Sequence, residues 1–193
     1  MKRTFDFLIA LIGLIVVSPI LLLVALLIKA TSKGPIFYKQ DRVGLNAGIF
    51  KLLKFRTMVI DADKLGSSVT VKDDPRITPV GRFLRRFKLD ELPQLINVLR
   101  GDMSFVGPRP DVPGFADKLT GKDRIILSVR PGVTGPATLK YRNEEELLAK
   151  QADPNRYNAE VIYPDKVRLN REYVENYSFW KDIGYIIRTI VGK

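Results

Sequence analysis

The chain has 193 residues, 46% of them hydrophobic, which suits one domain with its own core and a short appendage. The formal net charge of +11 indicates a polyanionic partner (nucleic acid, anionic lipid or a phosphate-bearing substrate) or, alternatively, a basic surface that serves only solubility. Cysteine and histidine are absent, which excludes disulfides, thiol catalysis, imidazole bases and cysteine-based zinc sites. Catalysis must therefore use carboxylates, lysine, arginine, tyrosine, hydroxyls or a hard cation such as Mg²⁺.

An uncharged apolar run covers residues 7–28 and is long enough to cross a bilayer as a straight helix. Ser18 and Pro19 lie near its middle, where proline bends or breaks a helix and serine can bond a freed carbonyl. Both flanks are basic, so the preference of positive charge for the cytoplasm selects no single orientation. The run is therefore predicted to be either a re-entrant helix that turns back at Pro19 or a kinked single-pass anchor.

The part beyond the apolar run reads as short strands, short helices and proline-rich loops. Residues 36–40 and 48–55 are predicted strands, joined by a turn through Gly44, Asn46 and Gly48. Helices are predicted at residues 80–87, from Asp90-Glu91 to about 99 with a stop at Gly101, and at 143–151. Residues 61–68, 73–75, 107–110, 130–132 and 135–136 are predicted loops or breakers.

The C-terminal part predicts one or two amphipathic helices. It mixes aromatic and branched apolar side chains with lysine and arginine, the last of them Lys193. This mixture suits a helix lying in a membrane interface, and an ordinary core-facing helix explains it equally well.

Asp90 and Glu91 lie in residues 88–110, the segment richest in candidate chemistry. An aspartate where a helix begins is commonly an N-cap, which is the structural alternative. Basic residues gather around the pair in sequence: Arg76, Arg82, Arg85, Arg86, Lys88, Arg100 and Arg109. A carboxylate can bind a Mg²⁺ ion that bridges a diphosphate, or attack phosphorus to form an acyl phosphate. Paired carboxylates among these cations therefore predict phosphoryl-transfer chemistry, which needs no histidine.

Arg109 and two cations earlier in the chain are candidates for binding phosphate. Arg109 stands between Pro108 and Pro110, whose restricted backbones would present its guanidinium in a fixed geometry; a stiff surface turn is the alternative. Lys54 and Arg56 belong to the second predicted strand, either as phosphate partners or as ordinary solvated charge.

From about residue 5 to its end the chain resembles the bacterial sugar transferases, specifically the small monotopic phosphoglycosyl transferases. The motifs that carry this likeness are Ser18-Pro19, Lys54-Phe55-Arg56-Thr57-Met58, Asp74-Pro75-Arg76, Gly81-Arg82-Phe83-Leu84-Arg85, Leu89-Asp90-Glu91-Leu92-Pro93-Gln94, Asn97-Val98-Leu99-Arg100-Gly101-Asp102-Met103-Ser104, Gly107-Pro108-Arg109-Pro110 and Arg130-Pro131-Gly132-Val133-Thr134-Gly135. Each alone is weak, but their occurrence in this order is specific.

The resemblance implies a fold and a location. The fold would be α/β and mostly α, with short helices around a small sheet and interfacial amphipathic helices. Residues 1–33 would form a re-entrant membrane helix-break-helix with its break at Ser18-Pro19, and residues 34–193 the catalytic domain. The chain would lie on the cytoplasmic face of the bacterial inner membrane as a minimal catalytic unit without the additional spans of larger relatives.

The resemblance also implies a reaction. Asp90 would attack the β-phosphorus of a UDP-sugar and release UMP, and undecaprenyl phosphate would then take the phospho-sugar, giving a polyprenyl diphosphate sugar. Glu91 would assist proton handling or metal placement, and Mg²⁺ would lie against Asp90. The product would begin the membrane stage of glycoconjugate synthesis, as for a capsule, O-antigen, exopolysaccharide or glycoprotein.

Lys54, Arg85 and Arg109 match family positions with active-site or phosphate roles, and Arg56 and Arg76 complete the predicted set. The expected partners are the UDP-sugar, undecaprenyl phosphate and the bilayer, with no nucleic acid; a homo-oligomer is left open.

Two departures from the family pattern leave the sugar unassigned. Lys88 stands where many relatives carry a small residue, and residues 136–145 replace a run that begins Trp-Ala-Gln in many relatives. Two other functions remain as alternatives. A membrane-anchored binder of nucleic acid or anionic lipid would show salt-sensitive binding without turnover. A lipid-phosphate phosphatase would pass the aspartyl intermediate to water.

Overall fold

The computed structural model describes residues 1–65, 70 and 74–192. The helices are α1 (Lys2–Thr31), α2 (Pro79–Arg86), α3 (Gln94–Arg100), α4 (Pro136–Lys140), α5 (Glu144–Ala149), α6 (Pro154–Tyr157), α7 (Tyr163–Glu175) and α8 (Phe179–Val191), and the strands are β1 (Phe37–Val43), β2 (Ile49–Phe55), β3 (Ser104–Val106) and β4 (Gly132–Thr134). Shorter 3-10 turns lie between them, and a π-helical segment at Asn158–Ile162 leads into α7. The described residues thus have the predicted mostly helical α/β character.

The first sheet is the predicted hairpin. β1 and β2 pair antiparallel, with Phe37 opposite Phe55 and Val43 opposite Ile49. The connection contains left-handed backbone at Asn46 and Ala47, with φ of 53° and 62°. Asparagine tolerates this conformation better than most residues, which is why the turn was readable from the sequence.

The second sheet corrects the prediction of loops around residues 130–136. β4 pairs in parallel with β3, with Ser104 opposite Gly132, and α4 follows it directly. A Cβ atom on Gly132 would overlap the backbone nitrogen of Gly107, so the close approach of the two segments requires glycine there. The predicted single small sheet is therefore two separate two-stranded sheets within the described residues.

Most predicted helices and turns are confirmed. The helices at 80–87 and 143–151 appear as α2 and α5, and α3 stops at Gly101, whose φ of 92° is left-handed. The 61–68 segment contains a 3-10 turn at Ala62–Lys64. Residues 66–68 and Asp73 of these predictions lie outside the described residues.

Helix α1 is long and apolar enough to cross a membrane by length and composition. It continues through Pro19 without interruption, so the predicted break does not divide it into two assigned helices. The Ser18 hydroxyl donates to the carbonyl of Ile15 at 2.8 Å, the carbonyl four residues before Pro19 that a proline cannot bond. The predicted rescue of a freed carbonyl by Ser18 is thus present.

Both halves of α1 pack against the rest of the chain. Ala10 belongs to one buried cluster with Leu52, Val98 and Met103. Val24 and Ile28 belong to another with Phe55 and Leu84. The described stretch 11–23 between them has no buried residue and exposes a broad apolar face. An apolar surface of this extent indicates a partner that is itself apolar.

The two ends of α1 are bonded to the same globular part. At its start, Lys2 forms an ion pair with Asp182 of α8, whose carboxylate is buried. Beyond its end, the guanidinium of Arg56 donates to the carbonyl and hydroxyl of Ser32, at 3.0 and 2.6 Å, and to the carbonyl of Lys33. Opposite ends of a 30-residue helix are therefore held by one body.

The C-terminal part forms two helices, α7 and α8, in agreement with the prediction of one or two. In α8, Asp182 is buried whereas Trp180 and Ile190 are 79% and 80% exposed. The ring of Phe179 packs edge-on against Phe5 of α1 at 5.3 Å between centroids. The apolar face of α8 thus points away from the core and begins beside α1; Lys193 lies outside the described residues.

Candidate active site

Asp90 and Glu91 lie on a 3-10 turn, Leu89–Glu91, between α2 and α3. Lys88 enters this turn in the left-handed region, with φ of 56° and ψ of 21°. Such backbone strain in a residue other than glycine is commonest at functional sites. Helix α3 begins later, at Gln94, and has no side-chain cap within the described chain. The N-cap alternative for the dyad is therefore not supported.

Glu91 binds two of the predicted cations. Its Oε1 atom accepts hydrogen bonds from Lys54 Nζ at 2.8 Å and from Arg109 Nη2 at 2.7 Å. Lys54 comes from β2 and Arg109 from the proline-flanked loop after β3, so three separate parts of the chain meet at one carboxylate. The Glu91 side chain is only 16% exposed, which strengthens these charged contacts.

Asp90 has a different environment. The residue is 6% exposed, and its Oδ1 atom is buried without a hydrogen-bond partner in the described part of the chain. Burial raises the pKa of Asp90, and the neighbouring charge of Glu91 adds to the rise, while Lys54 and Arg85 oppose it. A buried carboxylate oxygen without a partner is costly, so this atom is suited to meet a ligand.

The pKa of Glu91 is shifted in the opposite direction. Burial by itself would raise the pKa of Glu91, but the charges of Arg109 and Lys54 outweigh burial and hold that pKa well below its ordinary value. Adjacent carboxylates whose pKa values are driven apart commonly have separate roles in catalysis. Glu91 is fixed as an anion that orders two cations, which leaves Asp90 as the group with a free oxygen.

Arg85 reaches the site from α2. Its Nη2 atom pairs with the carboxylate of Glu145 on α5, and its positive charge opposes the rise in the Asp90 pKa. The helix is fixed at its start by Thr78, whose hydroxyl accepts from the amide of Gly81 at 2.9 Å. A Cβ atom on Gly81 would overlap the backbone of Thr57, so α2 lies directly against the segment after β2.

The structure gives Arg56 and Arg76 other partners. Arg56 is bonded to the backbone at the end of α1, as described above. Arg76 binds the carboxylate of Asp74, with Nη2 to Oδ2 at 2.6 Å, and donates to the carbonyl of Ala62 at 3.0 Å. Lys54, Arg85, Arg109 and the dyad are thus brought together, and phosphate binding by Arg56 and Arg76 stays a prediction without such a contact.

Three charged residues near the site were not predicted from the sequence. Arg42 donates to the carbonyl of Pro110 at 2.9 Å, and burial with the nearby charge of Arg109 lowers its pKa to about 10. Burial raises the pKa of Asp111 to about 6, against the charges of Lys166, Arg42 and Arg109. The third is Glu145. Arg42 lies beyond the predicted end of its strand, whereas Asp111 directly follows the Gly-Pro-Arg-Pro motif, a signal that could have found it.

A strained turn that presents a buried carboxylate among cations, beside a long apolar helix, is typical of an enzyme that acts on phosphate groups at a membrane. The model of the bacterial sugar transferase family matches residues 1–192, and the chain belongs to this family. It is therefore a transferase, in agreement with the resemblance found in the sequence.

Individual relatives cover nearly the whole chain. The exopolysaccharide production protein PSS of Rhizobium leguminosarum bv. phaseoli is 40% identical over 201 residues, which span 100% of this chain and 94% of that protein. The exopolysaccharide production protein ExoY of Sinorhizobium fredii is 38% identical over 204 residues, spanning 98% of this chain and 83% of that protein. The UDP-glucose:undecaprenyl-phosphate glucose-1-phosphate transferase of Escherichia coli K12 is 37% identical over 195 residues, spanning 98% of this chain but 39% of that protein.

Proposed function

We propose that the chain transfers a sugar 1-phosphate from a UDP-sugar to undecaprenyl phosphate, through a covalent intermediate on Asp90. The observation that carries the proposal is the buried, unpartnered Oδ1 of Asp90 next to the Lys54–Glu91–Arg109 network. The relative from Escherichia coli, a UDP-glucose:undecaprenyl-phosphate glucose-1-phosphate transferase, supports the same class of donor and acceptor.

In the first half-reaction a carboxylate oxygen of Asp90 forms a bond to the β-phosphorus of the donor. The bond from that phosphorus to the bridging oxygen breaks, and UMP leaves with the electron pair. Lys54, Arg85 and Arg109 neutralise the charge of the diphosphate, which is the main contribution that a protein makes to such transfers. Because Glu91 is held as an anion, its part is to position Lys54 and Arg109 and not to store a proton.

In the second half-reaction an oxygen of undecaprenyl phosphate attacks the same phosphorus. The bond to Asp90 breaks, the carboxylate is restored, and polyprenyl diphosphate sugar is the product. Burial of Asp90 limits the access of water to the acyl phosphate, which favours transfer to the lipid over hydrolysis.

The site fits Mg²⁺. The described residues hold no cluster of three acidic side chains that could cage a metal by themselves. Mg²⁺ commonly takes one or two carboxylates, and substrate phosphates supply further ligands. Asp90, with its unpartnered oxygen, is the residue that would hold the ion, which would supply charge neutralisation at the diphosphate.

We further propose that residues 1–33 form the re-entrant anchor of a monotopic protein on the cytoplasmic face of the inner membrane, with residues 34–193 as the catalytic domain. A helix that crosses the bilayer would leave one end far from a domain on the other side. In α1, Lys2 is bonded to Asp182 at one end, and Ser32 to Arg56 at the other. The exposed apolar stretch between them is the part suited to enter lipid.

The test is release of UMP by purified protein in detergent, given Mg²⁺, undecaprenyl phosphate and a panel of UDP-sugars. We expect repeated turnover, measured as UMP release, only when the lipid and a suitable donor are both present. The other product should be a lipid-linked sugar phosphate. Free sugar phosphate in place of the lipid product would indicate a phosphatase instead. No UMP with any donor would contradict the proposed transfer.

A further inference from the structure

Three of the cations gathered around Asp90 are bonded to carboxylates of the chain. Lys54 and Arg109 share Glu91, and Arg85 pairs with Glu145. A diphosphate needs these cations as its own partners. A donor that takes one of these three as its partner must therefore displace the carboxylate or share the cation with it.

The two carboxylates differ in how firmly they are held. Glu91 is 16% exposed, receives two hydrogen bonds and belongs to the same turn as Asp90. Glu145 is 43% exposed and pairs with Arg85 from a different element, α5. Ion pairs open to solvent are weak, whereas those of a buried, doubly bonded carboxylate are costly to break. Arg85 is therefore the cation that is released most easily.

Release of Arg85 does not require α5 to move. Leu148 anchors this helix in the core with 2% of its surface exposed. The carboxylate of Glu144 holds the helix to α7 through Lys166 Nζ, at 2.7 Å to each oxygen. A rotation of the Glu145 side chain alone is enough to free the guanidinium.

We propose that Glu145 occupies Arg85 in the absence of donor and yields it to the donor diphosphate, so that it acts as a displaceable competitor at the phosphate site. This inference rests on the proposed function, since it takes the diphosphate as the incoming ligand. Because of this competition, the apparent affinity for the diphosphate equals the intrinsic affinity multiplied by the fraction of molecules in which Arg85 is free.

The test is calorimetric binding of UDP and of inorganic pyrophosphate, each with Mg²⁺ and without lipid. Glu145→Gln should bind both probes about two- to fivefold more tightly than the natural protein, the range given by a weak ion pair. Glu146→Gln is the matched control, because Glu146 is exposed on the same helix and loses the same charge. Its affinity for both probes should stay unchanged.

A cycle with Arg85→Gln shows whether the effect passes through Arg85. In that background Glu145→Gln should bring no further gain. The inference is overturned by equal or weaker binding in Glu145→Gln, by an equal gain in Glu146→Gln, by a gain that persists without Arg85, or by failure of both probes to bind. The two proposals can fail separately. If Glu145→Gln binds the probes more tightly but the parent releases no UMP with any donor, the proposed transfer is contradicted and the competition for Arg85 stands.

Discussion

Asp90 and Glu91 are neighbours in the chain, yet Glu91 receives two charged hydrogen bonds while Asp90 Oδ1 receives none from the described residues. The pKa values of the two carboxyl groups consequently move in opposite directions. This contrast separates a group that orders cations from a group that can attack phosphorus, and it makes the two residues distinguishable by experiment.

Asp90→Asn should lower UMP release by about a thousandfold or more, the scale seen when a nucleophile is removed. Folding should be intact, because a neutral amide replaces a buried carboxylate whose Oδ1 atom has no partner among the described residues. Asp41→Asn is the control, since Asp41 forms an exposed pair with Lys51 and should retain full activity. Residual transfer above about a tenth of the parent rate would remove Asp90 as the nucleophile.

The pH dependence of stability should distinguish the two carboxylates. The folded pKa of Asp90 is raised, so its contribution to stability is present at low pH and is lost as the pH rises through that pKa. The folded pKa of Glu91 is depressed, so its contribution is present above the unfolded pKa and is lost as the pH falls. Thermal unfolding should be measured from acid to neutral pH. As the pH rises, the melting temperature of Asp90→Asn should increase relative to that of the parent, and that of Glu91→Gln should decrease relative to it. Parallel curves for both variants would contradict the assignment.

Removing Lys2 and removing Asp182 from their ion pair should cost different amounts of stability. Lys2→Met leaves the buried carboxylate of Asp182 without its cation and should cost about 3 kcal/mol, as for broken buried pairs. Asp182→Asn leaves a partly exposed lysine, and its amide can still accept from Tyr173, so it should cost less. Unfolding in detergent by urea measures both. A larger loss in Asp182→Asn would contradict this order.

Two helical glycines provide a matched pair. A Cβ atom on Gly81 would overlap the backbone of Thr57, whereas one on Gly184 of α8 has no described atom within 4 Å. Gly81→Ala should destabilise the protein by about 2 kcal/mol or more and displace α2 with Arg85. Gly184→Ala should be neutral or stabilise it by about 0.5–1 kcal/mol. Equal melting temperatures would show that α2 does not press on the segment after β2.

The topology of α1 can be read by cysteine labelling, because the chain has no cysteine of its own. Single cysteines at Thr4 and Thr31, both exposed near the ends of α1, should resist an impermeant maleimide in intact spheroplasts and react after permeabilisation. Pro19→Ala restores an amide for the Ile15 carbonyl and should shift the position-4 cysteine toward external labelling, whereas Ser18→Ala should not. External labelling of the parent at either end would contradict the re-entrant proposal.

Local chemistry explains which features were predictable. The hairpin, the turn at Asn46 and the stop at Gly101 depend on short-range backbone preferences, and the dyad with Lys54, Arg85 and Arg109 was readable as a motif. The strand β4 was not, because three residues between glycines and prolines carry no periodic pattern, and its pairing with β3 depends on close approach at Gly107.

Contacts between distant segments account for the other differences. Arg56 was predicted as a phosphate partner, together with Lys54, as a cation of the second predicted strand. The strand ends at Phe55, and the guanidinium meets the end of α1 instead. Glu145 could not be assigned because nothing local indicates that α5 lies beside Arg85. Tertiary packing determines the partners of Arg56 and Glu145, and local propensity or residue spacing does not reveal that packing.

The pairing of Lys2 with Asp182 also constrains how the protein is made. The two residues are 180 positions apart, so this contact at the start of α1 can form only after α8 has been synthesised. Contacts of high sequence separation form slowly, so Lys2 stays without this partner during the synthesis of the residues between them. If the exposed apolar stretch of α1 enters lipid as proposed, the bilayer would hold the helix in place until Asp182 is available to Lys2.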